Sequence, residues 1–160
     1  MTIKVGDRLP EATFTTPGPE GPQQVTLDQV FKGKKVVVFA VPGAFTPTCS
    51  ARHLPGFRDN ATAFKSKGVD TIACLAVNDA FVMGAWAEHQ GAGEKMLMLA
   101  DGNGDFTRKL GLDLDASKYG MGLRSQRYAM LVEDGVVKDL QVEQAGEFRV
   151  SSAEHMLERV

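Results

Sequence analysis

A chain of 160 residues is long enough for one compact domain with its own core, expected to span residues 1–160. Its 18 Lys and Arg face 20 Asp and Glu, a net charge of −2 with no basic run, which excludes a general surface for nucleic acid or anionic lipid. No apolar run approaches membrane-spanning length, residues 1–7 lack the layout of a signal segment, and two cysteines make no secreted disulfide framework. The expected setting is therefore reducing and cytoplasmic.

Residues 13–16 can form a short strand, residues 17–22 are turn chemistry, and residues 23–26 can return as the partner strand. Thr26 then caps a helical turn over 27–31 that ends at Gly33. Residues 36–41 are six unbroken apolar residues rich in β-branched types, the pattern of a strand buried on both faces. Pro42 and Gly43 stop it, and Thr46 and Pro47 read as the N-cap and first residue of a helix. Cys49 then falls at the third helical position. There, free backbone N–H groups and the positive end of the helix dipole favour thiolate over thiol.

The spacing predicts one helix over 49–67, closed by Gly68 and kinked by Pro55. A strand over 69–77 follows, and Asn78 reads as the N-cap of a helix over 79–90. Phe81, Ala85 and Trp86 would share a face of that helix, as core or as a dimer contact. Residues 96–100 give a third buried strand and residues 105–110 a short helix. Residues 111–123, with three glycines, read as an irregular loop. Strands over 127–133 and 136–143 flank Asp134-Gly135, a two-residue hairpin signal. Ser151 and Glu154 form a capping box for the last helix. The order is that of an open α/β sheet, with the cysteine at the carboxyl end of a strand, where such sheets place their sites.

A lone cysteine is ordinarily a small buried hydrophobe, and a lone Thr46 is ordinarily a helix cap. The strand–turn–helix setting of Pro42, Thr46 and Cys49 together reverses that reading. The run Pro42-Gly43-Ala44-Phe45-Thr46-Pro47-Thr48-Cys49 resembles the Pro-x-x-x-Thr-x-x-Cys motif of peroxiredoxins. It is most similar to the type II subfamily, which includes plant type II enzymes and mammalian peroxiredoxin five. Further matches lie at 53–57, 66–70, 77–83 and at Arg127-Tyr128. The resemblance implies an α/β thioredoxin fold, a central mixed sheet flanked by helices, that reduces peroxides through Cys49. It also implies a homodimer, with Phe45, Phe81 and residues 78–83 as candidate contacts.

Peroxide reduction needs a thiolate, donors that hold the peroxide in line, and stabilisation of the departing oxygen. Cys49 supplies the first. The Thr46 hydroxyl is close enough to touch sulfur and peroxide, backbone N–H groups at the helix start can hold the oxyanion, and Pro42 shields the sulfur from water. The fixed cation implied by the resemblance is Arg127, with Arg124 and Arg52 as rivals. Cys49 and His53 stand at i and i+4, a spacing open to metal binding or a thiolate–imidazolium pair, but His89 and His155 lack ligand spacing. His53 therefore reads as a helix-surface residue, and no metal or cofactor is expected. No C-x-x-C is present, and residues 101–105 are a turn without the spaced ligands of a calcium loop.

Two functions compete: a thiol peroxidase for hydrogen peroxide and small alkyl hydroperoxides, and a redox sensor or binding protein signalling through oxidised Cys49. The full set Pro42, Thr46, Cys49 and Arg127 favours the peroxidase, since a sensor needs only a reactive thiol. The only other cysteine, Cys74, lies in a run that reads as a buried strand, where reaching Cys49 would demand local unfolding. Mammalian relatives carry a resolving cysteine near the C-terminus, where residues 148–152 have none, and plant type II relatives place a second cysteine where Cys74 stands. The expectation is a one-cysteine cycle closed by an external thiol: glutathione, glutaredoxin or thioredoxin.

Overall fold

The structure is a computed structural model that describes residues 2–160. Strands β1 (Thr13–Thr16) and β2 (Gln23–Thr26) pair antiparallel and lead into α1 (Leu27–Phe31). Thr26 caps that helix reciprocally. Its hydroxyl accepts from the Gln29 N–H at 3.2 Å, and the Gln29 side chain takes the Thr26 N–H at 2.8 Å. Strand β3 (Lys35–Ala40) follows, with every residue from Val36 onward buried.

The segment after β3 is not one continuous helix. A widened π turn, Cys49–His53, runs into α2 (Leu54–Asp59) and, past a break at Asn60, α3 (Ala61–Ser66). The rest of the chain is β4 (Thr71–Ala76), α4 (Ala80–Gln90), β5 (Leu97–Ala100), α5 (Asp105–Leu110), β6 (Asp113–Asp115), β7 (Leu123–Ser125), β8 (Tyr128–Glu133), β9 (Val136–Val142) and α6 (Ala153–Leu157).

Seven strands make one sheet in the order β2-β1-β5-β4-β3-β8-β9. Strands β3, β4 and β5 run parallel, while β8 and β9 are antiparallel. The β-branched run of β3 places it between β4 and β8, the position that needs apolar side chains on both faces. Alternation does the rest. Val37, Phe39 and Val41 join a cluster with Leu54, Phe57, Phe64, Trp86 and Met156, whereas Val36, Val38 and Ala40 join Phe31, Leu75, Phe106 and Tyr128 on the other face. A helix-connected parallel pair β3/β4 beside an antiparallel hairpin β8/β9 is the thioredoxin plan. The hairpin closes on Asp134 (φ 49°) and Gly135 (φ 79°), both left-handed, the geometry that matches strand twist.

Four local readings are corrected. Asp79, not Asn78, caps α4, because its carboxylate takes the Val82 N–H at 2.8 Å. Phe81 and Ala85 stand on the exposed side of that helix, and its buried face is Ala80, Met83, Trp86 and Ala87. Residues 111–123 are not irregular throughout, because β6 and β7 pair there as a small separate ribbon. Ser152, not Ser151, caps α6, with its hydroxyl accepting from the His155 N–H at 3.1 Å.

Candidate active site

The site begins where β3 ends. Val41 still donates to the Leu75 carbonyl at 3.1 Å, and then the chain leaves the sheet through Pro42 and Gly43. Asn78, freed from capping, accepts the Ala44 N–H at 3.0 Å and pins this loop to the neighbouring strand end. Phe45 sits at φ 65°, a left-handed conformation that a bulky residue adopts only when its surroundings impose it. A Cβ on Gly43 would lie 2.8 Å from an Arg124 nitrogen, so a larger residue there would push that side chain aside.

The helix then starts at Pro47, but the Thr46 side chain does not cap it. Ser50 donates the first bond, to the Thr46 carbonyl at 2.9 Å, which leaves the N–H groups of Thr48 and Cys49 ahead of the intrahelical ladder. The Thr46 hydroxyl donates to the Gly43 carbonyl at 2.6 Å. With its proton engaged there, Oγ1 presents lone pairs only, and it can accept a hydrogen bond from an incoming group but not donate one.

Pro55 explains the widened turn. A proline has no N–H and its ring crowds the carbonyl four residues back. The Leu54 N–H reaches back five residues to the Cys49 carbonyl, so the turn opens by one residue. The Ser50 carbonyl would face residue 55 in that register and finds no donor; the Gln90 side-chain amide supplies one at 3.1 Å. Trp86 Nε1 also donates to Ser50 Oγ at 3.0 Å, so α4 holds the turn that carries the cysteine.

Cys49 is wholly buried. Arg127, on the strand side just before β8, donates from Nη2 to Cys49 Sγ at 3.0 Å and from Nη1 to His53 Nδ1 at 2.9 Å. His53 Nε2 lies 2.9 Å from the Ser151 carbonyl. A guanidinium only donates and a carbonyl only accepts, so Nδ1 is the acceptor and Nε2 carries the proton. His53 is completely buried, not a helix-surface residue, and its ring packs at 5.0 Å from both Phe39 and Phe148. Burial and the Arg127 charge lower its pKa to about 3, against the Ser151 carbonyl, so the ring is neutral.

The two rival arginines stand apart from the sulfur. Arg124 donates to the Met121 and Pro42 carbonyls at 3.0 and 3.4 Å and so braces the loop. Arg52 lies over the Phe148 ring at 4.7 Å. Cys74 is wholly buried in β4 opposite Phe39, in the same layer as Cys49, and both cysteines are free. Burial, with the nearby Cys49, pushes the Cys74 thiol well above its ordinary range. Among the described residues no group of side chains could hold a metal ion, and no helix is long and apolar enough to cross a membrane.

Sequence reasoning missed His53, Ser151 and Glu143. Glu143 Oε2 accepts from the N–H groups of Arg149, Val150 and Ser151 at 2.8–2.9 Å and from Ser151 Oγ at 2.7 Å. The i, i+4 spacing of Cys49 and His53 was the one signal available, and it could not show that residues 148–151 fold over the ring.

A fold of this plan, with a cysteine opening a helix beneath an arginine, defines a thiol-based redox protein. The chain matches the Redoxin family over residues 4–157. It is 51% identical over 160 residues to peroxiredoxin-2E, chloroplastic, of Arabidopsis thaliana, covering 98% of this chain and 68% of that one. It superposes with a TM-score of 0.95 on reduced Prx3 of Vibrio vulnificus in complex with hydrogen peroxide, at 53% identity and 99% coverage of each chain. Peroxiredoxin 5 of Alvinella pompejana matches with a TM-score of 0.86 at 39% identity, covering 97% of this chain and 96% of that one. The chain belongs to the Redoxin family, as a peroxiredoxin of the type II and peroxiredoxin-five kind. It is a thiol-dependent peroxidase.

Proposed function

We propose that Cys49 is the attacking thiolate, that hydrogen peroxide and small alkyl hydroperoxides are the substrates, and that an external thiol closes the cycle. The observation that carries this reading is the Arg127 Nη2 contact with Cys49 Sγ at 3.0 Å, a fixed cation beside a sulfur at a helix start. The solved relative bound to hydrogen peroxide supports the choice of substrate. The sulfur attacks one peroxide oxygen and the O–O bond breaks. Cys49 becomes a sulfenic acid, and the second oxygen leaves as hydroxide or alkoxide, stabilised by Arg127 and the free N–H groups at the helix start, and takes up a proton. Thr46 Oγ1, its proton held by Gly43, accepts the hydrogen bond of the peroxide O–H and orients it. Pro42 covers the sulfur against water.

The sulfenic acid condenses with one external thiol, releasing water and forming a mixed disulfide. A second thiol then frees Cys49 as a disulfide leaves. The wholly buried, protonated Cys74 supports a one-cysteine cycle fed by glutathione, glutaredoxin or thioredoxin. Two free thiols support a reducing, cytoplasmic setting, although two plant relatives are chloroplastic by name, and fractionation decides between them. We take residues 1–160 as one domain that pairs as a homodimer.

Stopped-flow oxidation of the reduced protein by hydrogen peroxide tests the core of this reading. The expected rate exceeds that of free cysteine by orders of magnitude, and a rate no faster than free cysteine overturns it. Cys74→Ser should keep most turnover with an external thiol, whereas Cys49→Ser should abolish it. Loss of turnover in a folded Cys74→Ser protein, with a Cys49–Cys74 bond in peptide maps of oxidised wild type, would replace the one-cysteine cycle by a two-cysteine one.

A further inference from the structure

Arg127 is the group on which the proposed chemistry depends, yet little of what holds its guanidinium lies on its own strand. We propose that Glu143 is a positioning residue for Arg127, acting through the turn at 149–151, the Ser151 carbonyl and the His53 ring. This proposal rests on the peroxidase reading of Cys49 and adds a control point on the far side of the hairpin.

Each link is short and its direction is forced. The Glu143 N–H donates to the Arg127 carbonyl at 2.9 Å, so the two residues face each other where β8 and β9 begin and end. The Glu143 carboxylate then turns away from the sheet. One of its oxygens gathers three consecutive backbone N–H groups, Arg149 to Ser151, together with the Ser151 hydroxyl. That clamp fixes the Ser151 carbonyl at 2.9 Å from His53 Nε2.

His53 cannot swivel to compensate, because its ring is boxed in by Phe39, Phe57 and Phe148, with ring centres 5.0–5.7 Å away. Its two nitrogens therefore act as one device. While the carbonyl holds the Nε2 proton, Nδ1 offers Arg127 a lone pair. If the carbonyl moves off, the Nε2 proton loses its acceptor, and only the Arg127 N–H still favours a bare Nδ1. The preference between the two ring tautomers weakens, and in each molecule that carries the proton on Nδ1 an N–H faces the Arg127 N–H, donor against donor. There the guanidinium withdraws, and its Nη2 leaves Cys49 Sγ. A carboxylate with no contact to the sulfur thus sets whether the arginine reaches it.

The test combines kinetics with the 15N resonances of the His53 ring, in the full-length protein. Wild type should show a protonated Nε2 and a bare Nδ1. Glu143→Ala should mix the tautomers and slow oxidation by hydrogen peroxide in proportion to the fraction of molecules that carry the proton on Nδ1. The double variant Glu143→Ala/Arg127→Gln should be no slower than Arg127→Gln alone, since both changes remove the same contact. Wild-type tautomer and rate in folded Glu143→Ala, or additive losses in the double variant, overturn the proposal. Should Glu143→Ala not fold, Glu143→Gln keeps an acceptor oxygen without the charge and is expected to fall between, and an unchanged tautomer and rate there overturn it equally. Slow oxidation of wild type would sink the peroxidase reading instead, while the ring resonances still report on the clamp.

Discussion

The two Nη atoms of Arg127 serve different partners, one the sulfur of Cys49 and one the lone pair of His53. Arg127→Gln should leave the circular dichroism spectrum intact and slow peroxide attack tenfold or more, on the order of 1.4 kcal/mol in the barrier. An unchanged stopped-flow rate would move the role to Arg52 or Arg124. His53 makes a separate prediction in acid. The folded protein keeps the ring neutral with a pKa near 3, whereas the unfolded chain protonates near 6.5. Its contribution to stability is therefore intact above about pH 6.5 and shrinks as pH falls from there toward 3. Burial raises the Glu143 carboxyl, but hydrogen bonds from Ser151, Arg149 and Val150 outweigh it and hold the group below its usual range, so acid weakens the fold there in the same sense. The melting temperature of His53→Gln should fall less than that of wild type over the same acid range, and parallel curves would exclude the ring as a cause. At this scale Pro42, Thr46 and Cys49 could be proposed from the sequence because eight consecutive residues carry them. The burial of His53 could not, since its cover comes from a turn 98 residues away.

Among the elements, β1, β2, α1 and α5 lie where turn residues, caps and apolar runs put them, because each boundary is a local event. The segment from Cys49 to Ser66 was only half legible. Pro55 announced a disturbance, but not that it would be absorbed as a widened turn with a side chain of α4 completing it. Gln90→Leu removes that donor and leaves the Ser50 carbonyl without it, at a cost of about 1–3 kcal/mol. We expect a lower melting temperature and faster alkylation of Cys49, and an alkylation rate equal to wild type would show that the turn needs no such support. Asn78 and Asp79 illustrate the other failure of local reading. Both are good caps, and only the long-range contact with Ala44 assigns one to the loop and leaves the other for the helix.

For the whole molecule, the alternation along β3 was enough to foresee two apolar layers, and the structure has them. What covers the outer surface was not written in that pattern. Phe81, 73% exposed, and Phe45, 50% exposed, are among the few large apolar side chains left to water among the described residues; Phe45 lies in the loop that leads to Cys49 and Phe81 in the first turn of α4. A homodimer formed through them would sediment as one species at micromolar concentration, and Phe81→Glu should convert it to monomer. A wild type that sediments only as monomer would remove these residues from any such interface.

Cys49 has no surface open to water, and this sets a rule for turnover. Hydrogen peroxide is little larger than water and needs only a small side-chain movement to reach the sulfur. A reducing protein or tripeptide is not so small. It meets the oxidised sulfur only in moments when the widened turn has come undone, and no amount of reductant makes those moments more frequent. Plotted against reductant concentration, the rate of recycling should therefore climb and then level off. The plateau should be the same for chemically unrelated bulky thiols, because it measures how often the molecule opens its own door.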